Sequence, residues 1–170
     1  LARGGWAEVS PRVIRGRGPS LKQELTDRQG GSVILGAEDF LGEWRITREI
    51  TDFRMRESGR LEGLARFTSE GEGLRYFESG TLCFAGGTPI RAERGYLWHF
   101  TKSEVQVAYA DGAPFHSFSR TRGPGATSHL CGEDMYRGTY VFSGFPEWQV
   151  TWSVNGPRKD YRSVTRYTRA

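Results

Sequence analysis

Apolar and polar side chains alternate one by one over most of the chain. Trp44, Ile46, Arg48 and Ile50 alternate with Arg45, Thr47 and Glu49, the period of two that sends successive side chains to opposite faces of a strand. The same period recurs in Leu61-x-Gly63-x-Ala65-x-Phe67, in Leu74-x-Tyr76-x-Glu78-x-Gly80-x-Leu82, in Ala92-x-Arg94-x-Tyr96-x-Trp98-x-Phe100 and in Val105-x-Val107-x-Tyr109. Short runs follow at Phe115 to Ser119 and Ser128 to Cys131, then Tyr136-x-Gly138-x-Tyr140-x-Phe142 and Trp148-x-Val150-x-Trp152-x-Val154. A last run extends from Tyr161 through Val164 to Arg169, and Glu38 to Leu41 reads as a short helical turn ahead of the first strand.

The links between runs are short and carry Gly or Pro, as at Gly71 and Gly73, Asp111-Gly112 and Gly123-Pro124-Gly125. Such links join neighbouring antiparallel strands. The expected fold is therefore all-β, a single closed antiparallel up-and-down β-barrel of about 8–10 strands, which leaves no exposed edge and can enclose side chains or one small ligand. Gly63 and Ala65 at alternate positions suit a crowded interior or a bend at a barrel corner. With 170 residues the chain can bury a core without a disulfide or a structural metal.

Residues 1–37 break the pattern. They contain Arg15-Gly16-Arg17-Gly18-Pro19 and Gly30-Gly31, with one short helix expected after a Ser20 cap, Gln23 reaching back and Gly30 ending it. They carry six basic and three acidic residues, against eighteen and seventeen in residues 38–170. Basicity thus belongs to an N-terminal extension, and the nearly neutral barrel at 38–170 argues against a nucleic-acid partner. An organellar transit peptide is a further reading of the Arg-containing start, opposed by Glu8, Glu24 and Asp27. The first residue is Leu rather than Met, as expected of a processed chain or of a piece of a longer one. No apolar run reaches the roughly 18 residues that span a bilayer, and no secretory leader is evident, so a cytoplasmic protein without a membrane partner is expected. Cys83 and Cys131 are expected to be free thiols, and the absence of a Cys-x-x-Cys pair disfavours structural zinc.

Gly42-x-Trp44 beside a helical turn, with Arg166 or Arg169 available on the final strand, resembles the closing latch of calycins, the superfamily of lipocalins and fatty-acid-binding proteins. A longer ordered set is similar to a family of bacterial calycin-like domains of unknown function. It comprises Phe40-Leu41-Gly42-x-Trp44, Tyr76-x-Glu78-x-Gly80, Arg94-x-Tyr96-x-Trp98, Asp111-Gly112, Phe115-His116, His129-x-Cys131 and Gly156-Pro157-Arg158-Lys159-Asp160-Tyr161. The resemblance spans about residues 38–170 and implies the barrel and the Trp44 latch. It implies no activity.

Glu78 and Arg94 occupy strand positions otherwise given to large apolar side chains. Burial of either charge alone is costly, so the two are expected to pair, or Arg94 to grip an anion with its forked donors. Tyr96, Trp98, Tyr140 and Trp152, with His116 and His129 beside loops, supply either core packing or the wall of a ligand pocket. Arg158 and Lys159 follow a Gly-Pro turn and bring positive charge to one rim, as a solvated turn or over a cavity mouth. The reading that results is a small-molecule-binding barrel for a compact acidic or polar-aromatic ligand, with no cofactor. Alternatives are a small isomerase or hydrolase using His116 or His129 as acid or base, and a filled barrel acting as a protein-interaction module. Asp111, His116 and Ser117 or Ser119 offer triad residue types without a nucleophile elbow. Haem on a single proximal histidine, from His99, His116 or His129, is a minor alternative that the calycin resemblance allows.

Overall fold

Each alternating run becomes a strand in the computed structural model, which describes residues 34–170; the helix expected between Ser20 and Gly30 lies outside these residues. One helical turn, α1 (Ala37–Phe40), precedes β1 (Gly42–Asp52), β2 (Glu57–Glu70), β3 (Gly73–Phe84), β4 (Ile90–Phe100) and β5 (Glu104–Ala108). They are followed by β6 (Pro114–Ser119), β7 (Gly125–Cys131), β8 (Asp134–Val141), β9 (Trp148–Asn155) and β10 (Asp160–Arg169). The spatial order β6-β5-β4-β3-β2-β1-β10-β9-β8-β7 pairs every sequence neighbour except β6 with β7, which form its two ends, and β1 pairs antiparallel with β10. The result is the expected up-and-down ring of ten antiparallel strands, nearly closed, with a seam between β6 and β7 where the ladder stops.

Side chains and the segment before α1 cover that seam. Phe118 of β6 stacks on Tyr140 of β8 with ring centres 3.7 Å apart. Ile34 forms an isolated bridge with Thr121, and the Leu35 amide donates to the Arg120 carbonyl at 3.0 Å. Leu35 is buried, so packing against the barrel begins ahead of residue 38.

One end of the barrel is plugged by α1. The Phe40 ring meets Phe67, Trp98, Phe100, Phe142, Phe145 and Trp148 at centroid distances of 5.4–6.0 Å, mostly edge to face, the arrangement that aromatic quadrupoles favour. Trp44 is fully buried beside it and donates its indole N–H to the Phe40 carbonyl at 2.7 Å. Of the two candidate latch arginines, Arg169 is the partner: its guanidinium lies 3.9 Å from the Trp44 ring centre and donates to the carbonyls of Leu41 and Asp39. Arg166 instead pairs with Glu49 on the outer surface. Gly42 has a φ of 104°, a backbone conformation that L side chains rarely adopt, which accounts for the glycine of the Gly-x-Trp pattern.

The inner face of the last strand is largely polar. Ser163, Thr165 and Tyr167 face inward and are buried, whereas Val164 is only partly covered. A polar partner inside the barrel, described next, accounts for this face.

Candidate functional site

Midway along the barrel three strands contribute charge to one interior cluster. Arg48 on β1 reaches across β2 to Glu78 on β3, donating from both terminal nitrogens to the two carboxylate oxygens at 2.7 and 2.8 Å. Gly63 and Ala65 on the intervening strand present almost no side chain to that path, and at Gly63 the β2 and β3 backbones approach closely, since a Cβ there would lie 2.1 Å from the Ser79 carbonyl. Arg48 Nε donates to the Thr165 hydroxyl at 2.7 Å, which accounts for the buried polar face of β10. Tyr76 donates to Glu78 Oε2, and its hydroxyl lies 3.1 Å from that of Tyr167.

Burial alone would raise the Glu78 carboxyl. The charges of Arg94 and Arg48, with hydrogen bonds from Arg48 and Tyr76, overcome this and hold it at about 2. Desolvation pulls the other way on Arg48, yet Glu78 holds its pKa above the ordinary value, so the pair stays ionised.

Arg94 is the second guanidinium against this one carboxylate. Its Nε lies 2.7 Å from Glu78 Oε1, but the N–H is not directed at that oxygen and is buried without a hydrogen-bond partner. Glu78 already has four directed or charged contacts, from Arg48, Tyr76 and Arg94. The cluster therefore carries one positive charge in excess, and 29% of the Arg94 side chain remains exposed. A void of about 10 Å³ beside Arg48, Glu78 and Arg94 has room for roughly one water. The middle of the barrel is thus filled.

At the end opposite α1 the inward side chains are half-buried. On β4, Trp98 is buried while Tyr96, Arg94 and Ala92 are partly open; on β8 and β9, Tyr140 and Trp148 are buried while Tyr136 and Trp152 are partly open. Tyr96 and Trp152 come from opposite walls, and the Phe115 ring lies between them, stacked at 5.5 Å and 5.7 Å with interplanar angles of 19° and 15°. The Arg94 guanidinium lies 6.0 Å from the Tyr96 ring centre. His129 meets Phe115 edge-on at 4.9 Å.

His116 points into the same space. One ring nitrogen, Nε2, lies 2.8 Å from the Tyr140 hydroxyl, whereas Nδ1 is buried with no partner. Burial, reinforced by nearby His129, lowers the His116 pKa to about 3, so the imidazole is neutral at physiological pH.

Tyr96, His116, His129, Trp152 and Arg94 thus converge on the open end, with Glu78 at its floor. Trp98 and Tyr140 belong to the packed core, against Phe40 and Phe118 respectively. Lys159 sits at the rim, 2.8 Å from Asp134 Oδ2 and donating to the Tyr136 hydroxyl at 2.9 Å, while Arg158 is exposed on the adjoining turn. His99 faces outward, and Asp111 and Ser117 are engaged elsewhere, with the Ala113 amide and Glu104. Arg48, Thr165, Tyr76 and Tyr167 complete the cluster without having been singled out as site residues; Arg48 was visible as a charge in the Trp44-Ile46-Ile50 register. Among the described residues no group of three His, Cys, Asp or Glu side chains is placed to hold a metal, and no helix is long and apolar enough to cross a membrane. Cys83 and Cys131 are free and exposed.

The fold and interior define a ten-stranded up-and-down barrel with a charged centre and an aromatic open end. The chain belongs to a family of unknown function, DUF6314, whose profile matches residues 40–169. Among solved structures it is similar to an S-type phycobiliprotein lyase, CPES, from Guillardia theta. That likeness has a TM-score of 0.56 at 8% identity, over 78% of this chain and 89% of the lyase. It is also similar to a protein of unknown function of the DUF3598 family from Nostoc punctiforme, with a TM-score of 0.52 at 17% identity over 79% of this chain. This chain spans about half of that second protein, 48% of its length. These identities establish a shared barrel fold and no more. No curated protein matches the sequence.

Proposed function

We propose that the protein binds one small molecule with an anionic group and a compact apolar or aromatic body, at the open end of a calycin-like barrel. The observation that carries this reading is Arg94: a second guanidinium against a single carboxylate, partly exposed, with a buried N–H that has no partner. An unsatisfied buried donor costs about 1–3 kcal/mol, more when charged, and an incoming carboxylate or similar anion would remove that cost. Tyr96 and Trp152 would cover the apolar body. The structural neighbour that is a phycobiliprotein lyase is compatible with a small-molecule role for a barrel of this shape. An acid–base role for His116 has less support, because a group held at about 3 is far from the neutral range in which such catalysis is most efficient.

Calorimetric titration with a panel of aliphatic and aromatic carboxylates tests this function. Wild type should bind at least one aromatic member saturably, and Arg94→Met should lose that binding while keeping its fold, since Arg48 alone still neutralises Glu78. Equal affinity in both proteins would remove Arg94 from the site.

A further inference from the structure

Adjacent residues of a regular strand point to opposite faces, yet Phe115 and His116 both reach rings inside the barrel. The ladder between β5 and β6 explains this: Val107 pairs with His116 and Ala108 with Pro114, so Phe115 is an extra residue with no opposite number. Such a β-bulge re-aims a side chain and leaves its own backbone outside the ladder. Here it turns the Phe115 ring into the space between Tyr96 and Trp152.

Three observations mark this ring as a replaceable occupant rather than fixed core. First, β6 is an edge strand, laddered only to β5, and its bulge follows the Asp111-Gly112 turn, where Gly112 has a φ of 86°. Second, Phe115 is half-buried, unlike the fully buried Phe118 three residues later. Third, it also borders an open groove of about 700 Å³ on the barrel flank, shared with Gly112, Pro114 and Gln106, which gives the ring somewhere to go. The slot it fills has parallel aromatic faces on both sides; the His116 ring, whose Nδ1 has no partner, meets Phe115 edge-on at 4.4 Å, and the Arg94 guanidinium lies 6.0 Å from the Tyr96 ring centre.

We propose that Phe115 is a displaceable plug and that its slot takes the flat ring of an anionic aromatic ligand, stacked between Tyr96 and Trp152 with its anion toward Arg94. This rests on the anion-binding reading of Arg94 and adds the shape of the ligand and the residue that yields to it. A flat ligand with a polar atom at its far edge also meets His116 Nδ1.

The test compares wild type with Phe115→Ala, using 2-naphthoate as a flat aromatic anion and acetate as an anion without a ring. Vacating the slot should tighten naphthoate binding at least tenfold and leave acetate unchanged, and a further Trp152→Leu substitution should cancel the gain. In labelled wild type, the Phe115 ring resonances should move on naphthoate addition as the ring leaves its stack, a readout that holds even if Phe115→Ala misfolds. Unchanged or weaker naphthoate binding by a folded Phe115→Ala, or stationary Phe115 resonances at saturation, would overturn the plug. If Arg94-dependent carboxylate binding persists under those outcomes, the Arg94 reading survives alone; if neither protein binds either anion, both readings fall.

Discussion

Arg48 holds both carboxylate oxygens of Glu78 across the width of β2, at 2.7 and 2.8 Å, with both side chains almost wholly buried. The consequence is an asymmetric response to mutation. Removing Glu78 strands two guanidiniums, whereas removing Arg94 leaves a balanced pair.

Glu78→Leu is therefore expected to destabilise by about 3–5 kcal/mol, as loss of one partner from a buried pair does, and Arg48→Met by less, because Arg94 still faces the carboxylate. The double variant should cost less than the sum of the two, because Arg48 is no longer left without its carboxylate, although Arg94 still is. Urea unfolding of the four proteins closes the cycle, and additive losses would show that the bidentate contact carries no coupling.

At the plugged end, Trp44→Ala should cost about 3–5 kcal/mol, the range for truncating a buried aromatic. Arg169→Ala should cost less, on the order of 1–2 kcal/mol, from the loss of a cation–π contact and of hydrogen bonds to two carbonyls. A Trp44→Ala loss below about 1 kcal/mol would make the latch peripheral.

Acid stability separates His116 from Glu78. The folded His116 is held at about 3, below its unfolded value near 6.5, so its contribution is complete above that value and is drawn down as pH falls toward 3. Glu78, held at about 2, contributes fully above its ordinary value of 4.5 and is lost only below it. His116→Gln should therefore flatten the stability slope between about pH 6.5 and 4.5, by at most about 1.4 kcal/mol per pH unit, the limit for one proton. Urea midpoints measured across that window check this, and an unchanged slope would place His116 in an open, ordinary setting.

Much of the barrel could be read in the sequence because a half-buried strand writes its two faces as alternating residues. Trp44-Ile46-Ile50, Leu74-Tyr76-Leu82 and Trp148-Val150-Val154 all fill the inner face as that pattern indicates. The site was legible where a charge interrupted such a face, as Glu78 and Arg94 do. Arg48 sits in the same kind of interruption, but its partner is two strands away, and that choice depends on Gly63 and Ala65 leaving room between them. The polar inner face of β10 was not legible for a complementary reason: burial of the Thr165 hydroxyl is favourable there because Arg48 Nε donates to it. The position of Phe115 was illegible because a one-residue bulge shifts the face without changing the composition.

The excess charge on Arg94 is the central claim, and its side-chain N–H offers the most direct test. With arginine side chains labelled with ¹⁵N, 2-naphthoate should move the Arg94 Nε–H resonance saturably as the unpartnered donor gains an acceptor, while the Arg48 resonance, already satisfied by Thr165, stays in place. An Arg94 resonance that remains still while naphthoate binds, or no saturable binding at all, would contradict the account.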